Sequence, residues 1–146
     1  MNVPSSQTVY RAPYVYFCQT AERARMVRIG QTMRPSYELQ RMQSRYSSPV
    51  QWLCGVRAFS VLAPILWSRF AYISAGRQWF HPDRRLSHMV ELLSARDPER
   101  LLTVDQLRDV FVAVFPESPY VGIAQYRLSE TYMRHSRHAI DRRENT

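Results

Sequence analysis

The sequence predicts an all-α chain with an extended N-terminal arm, one central apolar amphipathic helix and a small C-terminal helical bundle. Three observations lead there. No run alternates apolar and polar residues for long enough to read as a strand. Apolar positions in the second half recur at three- and four-residue intervals, and caps and prolines punctuate those stretches as helices require. With 146 residues the chain has room for one domain with a modest core, and no internal repeat suggests a solenoid.

Residues 1–20 hold prolines and tyrosines without helical period and read as an arm that buries little by itself. A first helix is expected over Ala21–Thr32, with Arg23, Arg25 and Arg28 on it and Gly30 and Pro35 marking its end. A second, short helix is expected over Ser36–Arg45. The segment "SSPV" at Ser47–Val50 supplies a serine cap and an early proline, so the apolar stretch Trp52–Ala75 is expected to begin as a helix near Pro49. On a helical wheel Phe59, Leu62, Leu66, Phe70 and Ile73 form one stripe, opposite Arg57, Ser60, Pro64 and Ser68. Only the 11 residues Ala58–Ser68 are free of charge. A hydrocarbon core takes roughly 20. The stripe therefore reads as an anchor in a protein core or on a membrane, with a tilted span over Ala58–Ala75 as one form of it.

The second half is more regular. Leu86, Met89, Val90 and Leu93 share a helix face, and "ARDPER" ends that helix. Thr103 and Gln106 have the spacing of a capping box, opening a helix with Leu107, Val110, Phe111 and Val114 on one side. Pro116 ends it, Ser118 and Pro119 are expected to start the last helix, and Val121, Ala124, Leu128 and Tyr132 form its stripe before the basic run "RHSRH". The chain thus divides into a basic arm with short helices at 1–50, an apolar helix at 51–80 and a small helical domain with a basic tail at 81–146.

Charge is unevenly placed. All 20 basic residues are arginine. Residues 1–80 hold 10 of them against only Glu22 and Glu38, whereas residues 81–146 hold 10 against 10 acids, so the net charge of +8 sits entirely in the first half. Guanidinium is planar and weakly hydrated, and it grips phosphate or carboxylate in a fork. A basic half beside a balanced one points to an anionic surface, either nucleic acid or lipid headgroups. Arg23, Arg25, Arg28, Arg41 and Arg45 are the expected contacts to it. Tyr10, Arg11, Tyr14, Tyr16, Arg34, Tyr37 and Tyr46 interleave rings with this charge, a composition suited to stacking on bases and equally to a protein or lipid interface. Residues 21–45 also have the Arg-, Ser- and Gln-rich, acid-poor composition of a mitochondrial address, here retained within the chain.

Motifs that carry chemistry are sparse. Cys18 and Cys54 lack CxxC spacing and read as reduced, buried thiols. Gly30, Gly55, Gly76 and Gly122 are too scattered for a phosphate loop, and there is no GxSxG. His135 and His138, or His81 and His88, have no third ligand to complete a metal site. No catalytic residue, cofactor or metal is expected. "HPD" at His81–Asp83 resembles the tripeptide by which J-domain co-chaperones engage their chaperone partner, and "AYISAGRQWF" before it resembles that family's second helix. Here "LLSARDPER" follows too soon to leave room for the family's long third helix, so the tripeptide reads as a helix end followed by an Asp83 cap.

Two functional readings follow. The first is a non-catalytic accessory subunit of a large mitochondrial inner-membrane complex, such as a respiratory complex or ATP synthase, contacting lipid and other subunits. The second is a mitochondrial ribosomal or other ribonucleoprotein subunit that binds RNA through its arginines.

Overall fold

Strand β1 (Tyr14–Thr20) runs through the middle of the domain, with β2 (Val27–Thr32) antiparallel on one side and β3 (Val50–Arg57) antiparallel on the other. Two short strands, β4 (Ser74–Gly76) and β5 (Trp79–Phe80), complete an antiparallel sheet of order β3-β1-β2-β5-β4. The computed structural model describes residues 12–144, and of 135–144 only the helical backbone. Tyr10, Arg11, His135 and His138 therefore lie outside the described positions and side chains.

Burial on both faces explains β1. Val15 and Phe17 point into the main core, while Tyr16 and Cys18 point to the opposite face. Six of its seven residues are buried. Such a strand shows no alternation, because neither side meets water. The main core joins Val15, Phe17, Val27, Ile29, Val56 and Phe80 of the sheet to four helices. These are α2 (Leu62–Arg69), α3 (Arg84–Ser94), α4 (Val104–Val114) and α5 (Ile123–Glu144). Among the described residues a single helix, α1 (Pro35–Arg45), covers the other face through Met42, packed with Tyr16, Cys18 and Trp79.

The all-α expectation is thus overturned, because five strands pair into one sheet. Ala21–Thr32 is not a helix. A 3-10 turn at Ala21–Arg23 leads into β2, where Val27 and Ile29 point into the core and Arg28 to the other face. The helix expected from Pro49 is instead β3, and helix begins only at Leu62. Residues 14–20 are a buried interior strand rather than an arm. The apolar stretch is a strand and a short helix in series, and among the described residues no helix is long and apolar enough to cross a membrane. Phe59, Leu62, Leu66 and Phe70 are buried in the main core, with Ile73 packed at its margin. Arg57, which breaks the apolar stretch, is satisfied inside the protein. Its Nη1 donates to the Ala12 carbonyl at 2.6 Å, its Nη2 meets Glu99 at 3.3 Å, and its guanidinium lies 4.1 Å from the centre of the Tyr14 ring.

Several elements form as the sequence predicts. Leu86, Met89 and Leu93 are the buried side of α3. Asp83 caps that helix, accepting from the Arg85 and Leu86 amides, although a strand and not a helix precedes it. Thr103 and Gln106 form the capping box of α4. The last helix starts later than expected, at Ile123 and not at Ser118. Gly122 sits just before it at φ +91°, where a Cβ would lie 2.6 Å from Ile65 Cγ2, so the close approach of α2 sets the start. Its core side is Ile123 and Tyr126, whereas Val121, Leu128 and Tyr132 face outward, with Leu128 71% exposed.

Tyr126 joins three segments. Its hydroxyl donates to the Leu102 carbonyl at 2.6 Å and accepts from the Phe59 amide at 3.3 Å. Tyr126→Phe leaves two buried backbone groups without that partner, and should cost about 1–3 kcal/mol, read as a lower urea midpoint at unchanged slope.

Candidate functional site

The sheet face beneath α1 is polar at its centre, which is unusual for a surface enclosed by a helix. Tyr16 is paired with Gly30 on β2 and Gly55 on β3. Its ring lies over Gly30, where a Cβ would come within 2.3 Å of the ring and hydroxyl, and it stacks on Trp52 at 4.6 Å. A larger residue at position 30 would displace the ring. Fully buried, the Tyr16 hydroxyl must find partners. It donates to Glu38 Oε2 of α1 at 2.6 Å and accepts from Arg28 Nε of β2 at 3.2 Å. The other oxygen of Glu38 takes Arg41 Nε at 2.9 Å and Nη2 at 2.8 Å. Arg28 reaches on to the Arg77 carbonyl at 3.2 Å.

The outcome is one chain of contacts, Arg41–Glu38–Tyr16–Arg28–Arg77, running from α1 across the sheet to the turn between β4 and β5. Burial holds the Tyr16 phenol protonated well above its ordinary range, with the Glu38 carboxylate adding to the shift. Burial alone would raise Glu38, but the Tyr16 and Arg41 hydrogen bonds overcome it and leave the carboxyl below its usual range. Cys18 and Cys54 are pushed up to about 12, in both cases chiefly by burial, and are therefore inert thiols.

Beside this cluster, the guanidinium of Arg23 lies 4.8 Å from the centre of the Trp79 indole, and Tyr46 meets that indole edge-on at 6.2 Å. Arg23 Nε is buried with no hydrogen-bond partner among the described residues, so the ring face is what accommodates it. Glu22 is occupied nearby, accepting from the Ser47 and Ser48 amides and the Ser47 hydroxyl, chiefly the last of which lowers its carboxyl.

Four non-glycine residues flank this face in the left-handed region: Ala24 at φ 47° and Arg25 at 68° in the turn before β2, and Arg77 at 54° and Gln78 at 70° in the turn before β5. Each carries backbone strain that glycine would relieve. In both turns one of the strained positions holds an exposed arginine.

The predicted contact residues fall in one region. Arg23, Arg28 and Arg41 converge on the α1 face, Arg45 lies exposed in the last turn of α1, and Arg25 lies exposed on the adjoining turn. Sequence reasoning missed Arg77 and Trp79, which reach the site only because β5 pairs with β2. The turn signal "AGRQ" marks the place, but nothing local brings it beside Arg28. Arg57 and Arg69 point elsewhere, Arg69 donating to the Ser118 hydroxyl and lying 4.1 Å from the centre of the Phe115 ring. Among the described residues no three His, Cys, Asp or Glu side chains gather as a metal site. No family model, curated protein or solved structure matches the chain.

Two outcomes test this arrangement. Because the native carboxyl of Glu38 is depressed, its contribution to stability is complete above the ordinary carboxylate range and is lost as pH falls through the native value. Glu38→Gln should flatten that acid limb in urea titrations across pH. Arg77→Gly should raise stability by about 0.5–1 kcal/mol, since the relief of left-handed strain exceeds glycine's entropic cost. A higher melting temperature for this variant would locate the strain at Arg77.

Proposed function

We propose that the chain is a non-catalytic RNA-binding subunit of a ribonucleoprotein assembly, using the arginine-rich face around α1 on backbone phosphates. The observation that carries this reading is an imbalance of charge on one side of the sheet. Arg23, Arg25, Arg28, Arg34, Arg41, Arg45 and Arg77 belong to α1, the strand face beneath it and the turns beside it. The acids of the same segments are only two, Glu38, buried and paired with Tyr16 and Arg41, and Glu22, exposed and hydrogen-bonded to Ser47 and Ser48. Guanidinium groups held by ring faces and carbonyls are pre-oriented, which lowers the ordering cost of gripping phosphate.

The reading as an accessory subunit of a mitochondrial inner-membrane complex draws its support from the apolar stripe as an anchor. With Phe59, Leu62, Leu66 and Phe70 inside the domain, that support passes to the arginines, which serve an RNA partner equally well.

Arg25, Arg34 and Arg45 are exposed and are the variants of choice. Changing all three to glutamine should leave the melting temperature in place and weaken RNA binding. The slope of log affinity against log salt should fall by about 2–3, near 0.7–0.9 for each phosphate no longer neutralised. An unchanged affinity and slope would count against the reading.

A further inference from the structure

Resting on the RNA-binding reading, and narrowing it to a substrate class, we infer that the exposed side of α1 is a stacking platform for an unpaired base, with Tyr37 as the ring and arginines gripping the flanking phosphates. Tyr37 is 60% exposed although it is a large aromatic residue on a helix that packs on the sheet. The inward side of α1 is settled by Glu38 and Met42, both buried. At helical spacing Arg41 and Arg45 follow Tyr37 by one and two turns within an arc of about 80° on the wheel, and Arg34 is the exposed residue just before the helix. Cation, ring and cation thus follow one another from the N-cap along α1.

The inward network keeps this face in place. Arg41 is held by Glu38, and Glu38 by the buried Tyr16 hydroxyl, so the position and rotation of α1 are fixed from below. A ring on a fixed helix stacks on a base with little ordering cost, and stacking tolerates any base because each has a π-face. Duplex RNA presents its bases already stacked and hides their faces, so such a ring adds little to duplex binding. A lipid surface is less well matched. Among the described residues, the exposed large apolar side chains at α1 are Met33 and Tyr37, and the others are in residues 72–132. This face therefore lacks an aliphatic cluster to insert.

The test uses the full chain and measures fluorescence anisotropy with a short single-stranded RNA, the DNA strand of the same sequence, the RNA duplex of the same length, and vesicles containing an anionic phospholipid. Tyr37→Ala should weaken single-strand binding by about 5- to 150-fold, the range for one stacked base, while Tyr37→Phe keeps the ring and binds like wild type. Duplex binding should change less than single-strand binding. The DNA strand shows whether the sugar is read besides the base.

If Tyr37→Ala binds single strands as wild type does while the Arg25, Arg34, Arg45 triple variant binds more weakly, the stacking inference fails and the phosphate-binding reading stands. If the wild-type chain binds neither strand nor duplex, both fail. Binding to vesicles alone, abolished in Tyr37→Ala, would overturn both in favour of a membrane surface. Unchanged circular dichroism of each variant shows that it has folded.

Discussion

The structure depends on one buried hydroxyl. Tyr16 stands in the interior strand β1, between β3 and β2, on a face that a helix must cover, and an unpartnered hydroxyl there would cost about 1–3 kcal/mol. Its partners come from different places in the chain, Glu38 on α1, with Met42 Sδ beside it, and Arg28 on β2. Satisfying it therefore docks the helix, fixes its rotation and aligns the arginines on either side. Gly30 makes room for the ring, and Trp52 closes over it.

From that constraint the two faces of the sheet take different characters. The larger core, with four helices, is almost wholly apolar and carries the burden of folding. The face under α1 is small, and much of its packing is ring on guanidinium or ring on ring. Positive charge gathers there because carboxylates are few: Glu38 is buried, and Glu22 is exposed but accepts from the Ser47 and Ser48 amides. Glu38 neutralises part of Arg41 and, through Tyr16, supports Arg28; Glu22 ties the first turn to the start of β3. The turns that carry Arg25 and Arg77 hold strained backbone, the kind of local cost that persists where the surrounding structure over-determines a conformation.

Much of the helical part was legible in the sequence, and the reason is local. Caps, prolines and three-to-four spacing act within a few residues, so α1, α3 and the capping box of α4 can be read directly. The strands were not legible. "YVYFCQT" is buried on both faces and has no period, while "VRIGQT" is short, and the arginines leading into it mimic an amphipathic helix. Only Ala58–Val61 separate "VQWLCGVR" from α2, with no turn signal between, so a strand and a helix read as one stretch. In the last helix the apolar stripe is visible in the sequence and its direction is not, because Ile123 and Tyr126 reach the core while Val121, Leu128 and Tyr132 look outward.

By itself the sequence determined that the first half is basic, that its positive charge is all guanidinium, that its arginines alternate with rings, and where α1, α3 and α4 lie. These are properties of composition and of neighbours along the chain. Only the tertiary structure decided that Arg28, Glu38 and Tyr16 meet, that Arg77 and Trp79 join them, and that the apolar stripe of residues 59–70 belongs to a core. Those outcomes follow from strand pairing, and from helices packing on the sheet so formed, between distant segments. Pairing is set by which faces can be buried together, and no local pattern along the chain encodes that.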